Sequence, residues 1–148
     1  MIQTFAYKAK FEPGARRGVL VVSFPDVPEA ITEGRGLSEA RANAEEALGL
    51  ALLSYPLRGL PLPKPKARGA RLISIAVEAE VAAKLALIEA FRGTKISKSE
   101  FGRRIDKDEK EVRRLLDPKH PTKLGPLTEA LRQLGQRLVI AVERMDAA

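Results

Sequence analysis

Ser97 with Glu100, and Asp108 with Glu111, stand at the spacing of a capping box, in which an N-cap side chain and an acid three residues on satisfy each other's backbone amides. Two helix starts this close leave room for a short helix, a tight turn and a second helix. Asp106-Lys107 has the length of that turn, and Asp106 holds a position where glycine is usual, because Asp tolerates the left-handed conformation better than most residues. The second helix has two opposed faces. Lys110, Arg113, Arg114 and Asp117 fall at i, i+3, i+4 and i+7, while Val112, Leu115 and Leu116 point the other way. Phe101, Ile105, Val112 and Leu115 are the expected shared core, with Gly102 where the two helices approach closely.

This is the pattern of a helix-turn-helix whose second helix enters the major groove. On that reading Lys110, Arg113 and Arg114 reach base edges, where arginine pairs bidentately with guanine, and Lys98 and Ser99 bind phosphate at the start of the first helix. Lys107, Lys119 and Lys123 are placed for backbone contact. The competing reading is a plain helical pair with a solvated charged face. Charge distribution favours DNA: of a formal net charge of +7, the stretch Arg92 to Lys123 carries +5, with eleven Lys and Arg against six Asp and Glu.

With no cysteine and His120 as the single histidine, disulfides, thiolate metal sites and histidine zinc clusters are excluded, so no metal or cofactor is expected. Met1 to Tyr7 alternates like a strand rather than an export signal, and no apolar run is long enough to span a membrane. A cytoplasmic protein without membrane partners is the simplest expectation.

The remaining chain reads as α+β. Phe5, Tyr7, Ala9 and Phe11 alternate with polar or small residues as a strand with one buried face, Pro13-Gly14 and Gly18 bracket a turn, and Val19 to Phe24 suits a central strand. A third strand covers Ala30 to Gly34. Ser38 is the expected N-cap of a helix in which Ala40, Ala44, Ala47, Leu48, Ala51, Leu52 and Tyr55 face the sheet. A proline-rich crossover over 56–71 cannot be helical, and Leu72 to Val77 is a strand assigned to the first sheet. From Glu80 the period becomes helical, with Val81, Leu85 and Ile88 on one stripe to Arg92-Gly93. A last helix runs from about Pro126 to Gly135, a natural stop, and Arg137 to Glu143 has strand composition that needs a partner strand, which a second copy would supply. Two domains follow, 1–77 and 78–148.

The order of these segments resembles the HicB family of antitoxins, partners of HicA toxins, in the branch with a helix-turn-helix. At the N-terminal end the resemblance rests on Val19-Leu-Val-Val-Ser-Phe-Pro-Asp-Val-Pro28, Ala30-Ile-Thr-Glu-Gly34 and the helix from Ser38 to Leu48. At the C-terminal end it rests on Ile96-Ser-Lys-Ser-Glu100, Val112-Arg-Arg-Leu-Leu-Asp-Pro118 and Leu131 to Leu138. The chain departs from the pattern at Gly34-Arg35-Gly36, Gly102 and Asp106-Lys107.

The resemblance implies a two-part antitoxin, a binding protein and not an enzyme. Its first domain is expected to be a partial ribonuclease H-like fold that occludes a small RNA-cleaving toxin, and its second to repress its own operon as a dimer or tetramer. Phe24, Asp26, Ile31 and Thr32 are the nominated toxin contacts, and Leu138, Val139, Ile140 and Val142 the oligomer contacts. Asp26 and Glu33 alone cannot make a two-metal hydrolase centre, which needs several converging carboxylates. The alternative is a ligand-responsive helix-turn-helix repressor without a toxin partner; an RNA hydrolase is the third possibility.

Overall fold

Over residues 1–145, which the computed structural model describes, the chain is α+β, with a four-stranded antiparallel sheet and five helices. Residues 146–148, the end of the expected second domain, lie outside the described residues. The elements are β1 (Ala6–Pro13), β2 (Val19–Ser23), β3 (Ile31–Arg35), α1 (Gly36–Leu57), β4 (Ile73–Ala76), α2 (Ala79–Gly93), α3 (Lys98–Ile105), α4 (Glu109–Leu116) and α5 (Leu124–Gln133). Two compact units divide between Glu78 and Ala79, the second running from Ala79 to Glu143, with Arg144 and Met145 grouped with the first.

In the first unit the strands lie in the order β3-β2-β1-β4. The continuous apolar run of β2 fits its interior place, with a neighbour on each side. β1 and β2 form the expected hairpin, Lys10 opposite Ser23 and Pro13 opposite Leu20, closed by the Gly14 amide on the Val19 carbonyl. β4 joins the free side of β1, Tyr7 opposite Ile75, so the strand after the crossover does close the first sheet. Tyr7, Ala9, Val19, Val22 and Ile75 are buried, as are Ala40, Ala44, Leu48, Ala51 and Leu52 of α1. Small side chains let α1 lie close: a Cβ on Gly34 of β3 would stand 2.5 Å from the Ala40 amide nitrogen.

Two expectations for α1 are corrected. Its N-cap is Arg35 without a side-chain cap bond, not Ser38, because the sheet end leads directly into the helix and the Glu39 carboxylate reaches back to the Arg35 amide. Pro56 belongs to the last helical turn rather than the crossover, since a proline there costs one amide donor near an end where the ladder is finishing anyway. The crossover itself is tied down. Asp26 accepts the Lys66 and Ala67 amides at 2.8 and 2.7 Å, and Tyr7 donates its hydroxyl to the Pro63 carbonyl at 2.5 Å.

The second unit packs α2, α3, α4 and α5 around Ala83, Leu87, Phe101, Val112, Leu115, Leu127, Ala130 and Leu131, with the Phe91 and Phe101 rings 5.3 Å apart. From α2 the fully buried residues entering this core are Ala83 and Leu87, two positions beyond Val81 and Leu85 of the expected Val81–Leu85–Ile88 stripe; Leu85 and Ile88 are buried too, and Val81 is half-buried. The expected terminal strand is absent among the described residues: 136–145 forms no ladder, because an isolated extended segment has no backbone partner.

Candidate nucleic-acid interface

Both short helices begin where their caps require. Ser97 is extended and its hydroxyl accepts the Glu100 amide at 3.1 Å, starting α3 at Lys98. Asp108 and Glu111 complete a reciprocal box, the Asp108 carboxylate accepting from the Glu111 amide at 2.8 Å and the Glu111 carboxylate from the Asp108 amide at 3.2 Å. Between them Asp106 is left-handed, φ 55° and ψ 50°, the only non-glycine residue with positive φ among the described residues. A Cβ on Gly102 would stand 2.8 Å from the Lys107 carbonyl oxygen and 3.2 Å from the Val112 side chain, so the pair can be this tight only with glycine there. Phe101, Val112 and Leu115 are buried and Ile105 packs at the core's edge, as the apolar spacing requires.

That internal face leaves α4's charges outward. Lys110, Arg113 and Arg114 are exposed, and so are Lys98, Ser99, Lys107, Lys119 and Lys123. Among the described residues none of these cations pairs with a carboxylate. Arg103 and Arg104 of α3 behave differently, both bound by Glu100, at 2.6 and 3.4 Å. Those contacts, with Arg103 the larger influence, hold the Glu100 carboxyl below the ordinary carboxylate range. A cleft of about 460 Å³ runs between the start of α3 and the turn, lined by Lys98, Ser99 and Lys107 but also by Asp106, Asp108 and Glu109. Asp108 and Glu109 suit the positive end of α4, so the cleft carries both signs of charge, whereas the outward face of α4 presents Lys110, Arg113 and Arg114. Lys119 and Lys123 lie on the loop after α4, with Asp117 as its C-cap.

One residue in this unit escaped the sequence reading. Lys84 of α2 is 3% exposed, the one buried charged residue among those described. Its ammonium donates to the Arg114 carbonyl at 2.9 Å, the Leu115 carbonyl at 2.8 Å and the Thr122 hydroxyl at 2.7 Å. Burial lowers its pKa from 10.5 to about 8, with nearby Asp117 opposing the shift. The available signal was a lone lysine inside the apolar stretch Val81 to Ile88.

On the first unit the nominated residues fare unequally. Phe24 is 2% exposed and belongs to the core, since the turn at Phe24 to Ala30 folds its apolar side chains inward with Val27 and Ala30; a surface role for Phe24 is therefore corrected. Asp26 is half-buried and occupied by the crossover amides, Thr32 is half-buried, and Ile31 is 65% exposed on the edge strand β3. The same turn is anchored by Glu29, which accepts from the Tyr55 hydroxyl and the Arg58 guanidinium, each at 2.7 Å; these bonds, Tyr55's first, lower its pKa. Of the nominated oligomer contacts, Leu138 packs against the second core, while Val139, Ile140 and Val142 are exposed.

Among the described residues no group of three or more His, Asp or Glu side chains could hold a metal ion, and no helix is long and apolar enough to cross a membrane. No family model matches the sequence. Individual relatives do. The chain is 34% identical to the protein named Antitoxin HicB of Escherichia coli K12 over 128 residues, 86% of this chain and 93% of that protein. It is 33% identical to Antitoxin HicB 2 of Photorhabdus laumondii over 138 residues, 93% of this chain and 96% of the relative. With Antitoxin HicB 1 of the same organism it shares 30% identity over 143 residues, 97% of this chain and 90% of the relative.

Proposed function

The chain belongs to the HicB family of antitoxins, and from that footing we propose that it is a two-part regulator: it occludes a small RNA-cleaving HicA-type toxin and represses its own operon by binding operator DNA. The carrying observation is the face of α4, where Lys110, Arg113 and Arg114 are exposed and, among the described residues, free of carboxylate partners on a helix held by its box and its core contacts. On this reading α3, the turn and α4 are a helix-turn-helix, with Lys98 and Ser99 on phosphate and Lys107, Lys119 and Lys123 on the backbone. The protein acts by binding, without catalysis, metal or cofactor.

For the toxin, the first unit serves as a partial ribonuclease H-like fold, and its contact surface is the edge strand β3 with Ile31 and Thr32 and the neighbouring Asp26 turn, since an edge offers unpaired backbone to a partner. Self-association follows from the apolar segment around Ile140. Antiparallel pairing of two copies about Ile140 sets Arg137 opposite Glu143 and Leu138 opposite Val142, which joins opposite charges at both ends of a ladder that one copy cannot make.

The two roles separate on the full chain. Arg113→Ala should weaken binding to a duplex from upstream of the reading frame by about 1–3 kcal/mol, and a scrambled duplex much less, at fixed salt. The same variant should still rescue growth when co-expressed with the neighbouring toxin. Equal binding of operator and scrambled DNA by the wild-type protein would sink the repressor half, and failure of the wild-type chain to rescue would sink the antitoxin half.

A further inference from the structure

We infer that Lys84 is a positioning residue for the DNA-reading face: it pins the C-terminal end of α4, and the loop that follows, to α2, and so sets the pose of Arg113 and Arg114. The inference rests on the helix-turn-helix reading only for its consequence at DNA, not for the pose itself. α4 is eight residues long, too short to hold a helix unaided. Its first turn is fixed by the Asp108–Glu111 box and its middle by Val112 and Leu115 in the core. The last carbonyls of any helix lack intrahelical donors, and here two of them, on Arg114 and Leu115, are taken by one ammonium whose third proton goes to Thr122. The anchor is thus on the backbone of Arg114 itself. An apolar side chain of similar length would be cheaper to bury than this cation, but it would leave the Leu115 carbonyl without that donor and the Arg114 carbonyl with only the Asp117 amide at 3.3 Å, so that nothing ties this end of α4 to α2 through its backbone. A reading site held about 1 Å too loosely loses its discrimination before it loses its charge.

The test uses the full chain and two duplexes, the upstream region and a scrambled sequence of equal length, at fixed salt. Lys84→Met should bind the upstream duplex about tenfold or more weakly while its affinity for the scrambled duplex changes less than about twofold. Because the chain has no cysteine, Lys84→Cys can be alkylated with 2-bromoethylamine while unfolded and then refolded, which restores an ammonium one sulfur-for-methylene removed from lysine. The alkylated protein should regain its preference for the upstream duplex, and unmodified Lys84→Cys should not. If Lys84→Met loses cooperative unfolding, Thr122→Val removes a single acceptor and should reduce the preference by a smaller factor.

Wild-type discrimination in Lys84→Met, an equal loss on both duplexes, or no recovery on alkylation overturns the inference. Should the wild-type protein itself show no preference, the DNA reading fails, and the amide chemical shifts of Lys110 to Leu116 in the free protein decide the pose. Shifts displaced in Lys84→Met and restored by the ammonium support the pin, and unchanged shifts overturn it.

Discussion

α1 and α4 are both well-formed helices, yet they are held in opposite ways. α4 carries its own start: Asp108 and Glu111 close a box within four residues, and the helix would begin at Glu109 against almost any core. α1 has no side-chain cap on its backbone N-terminus, and what holds its first turns is the sheet: the Glu39 carboxylate on the Arg35 amide, the Asn43 amide on the Glu33 carbonyl at 2.9 Å, and the backbone of Ala40 against Gly34. One helix is specified locally and the other by a surface that exists only after the strands have paired. An element capped within its own few residues takes its boundary from local chemistry, whereas an element that closes a core can take its boundary from the core.

The largest expected effects come from removing the close approach in each region. Gly34→Ala would place a Cβ within 2.5–2.8 Å of three backbone atoms of α1, which cannot yield as a side chain could, and should destabilise the first unit by about 3 kcal/mol or more. Gly102→Ala meets one carbonyl at 2.8 Å and a movable Val112 methyl, so the second unit should lose about 2 kcal/mol. Urea melts read both. If Gly102→Ala proved the more damaging, the locally capped pair would depend on tertiary fit more than α1 does.

How far the sequence revealed this follows the same division. Ser97, Glu100, Asp108, Glu111, Asp106 and Gly102 act within a few residues of one another, so spacing alone exposed the α3–turn–α4 arrangement, including the left-handed Asp106. The start of α1 was hidden because Ser38 has the right chemistry at the wrong place: Gly34 and Arg35 put the helix start three residues earlier through contacts made across the sheet. Phe24 was read as surface for a similar reason, since the inward folding of the Phe24 to Ala30 turn is not a periodic pattern. Lys84 was invisible because its partners, Arg114, Leu115 and Thr122, are about thirty to forty residues away and two of them are backbone carbonyls, which no residue type announces.

Lys84 also gives the second region a titration of its own. Its folded pKa of about 8 lies below the unfolded value near 10.5, so between these values the unfolded chain binds more protons and stability rises with pH. From pH 7 to 9.5 the wild-type protein should gain about 2 kcal/mol over Lys84→Met, both measured by urea melts. The sign is diagnostic: an ammonium stabilised by a carboxylate would raise the folded pKa and make the difference run the other way. A flat difference would mean that Lys84 is solvated in the folded protein, and that the anchoring of α4 is weaker than its three bonds suggest.

The smallest effects are the sharpest check on the two kinds of helix start. Asp108→Ala removes the acceptor of the Glu111 amide and leaves only the return bond from the residue-108 amide to the Glu111 carboxylate, so the second unit should lose about 1 kcal/mol. Ser38→Ala removes a hydroxyl that caps nothing and should change stability by less than about 0.5 kcal/mol, because the residue is exposed inside the first turn of α1 and alanine is the better helix former there. Both substitutions look alike on paper, a cap-type residue to alanine near a helix start. Equal losses from the two, read by denaturant midpoints at constant slope, would mean that Ser38 caps α1 in solution and that its N-terminus is as locally specified as that of α4.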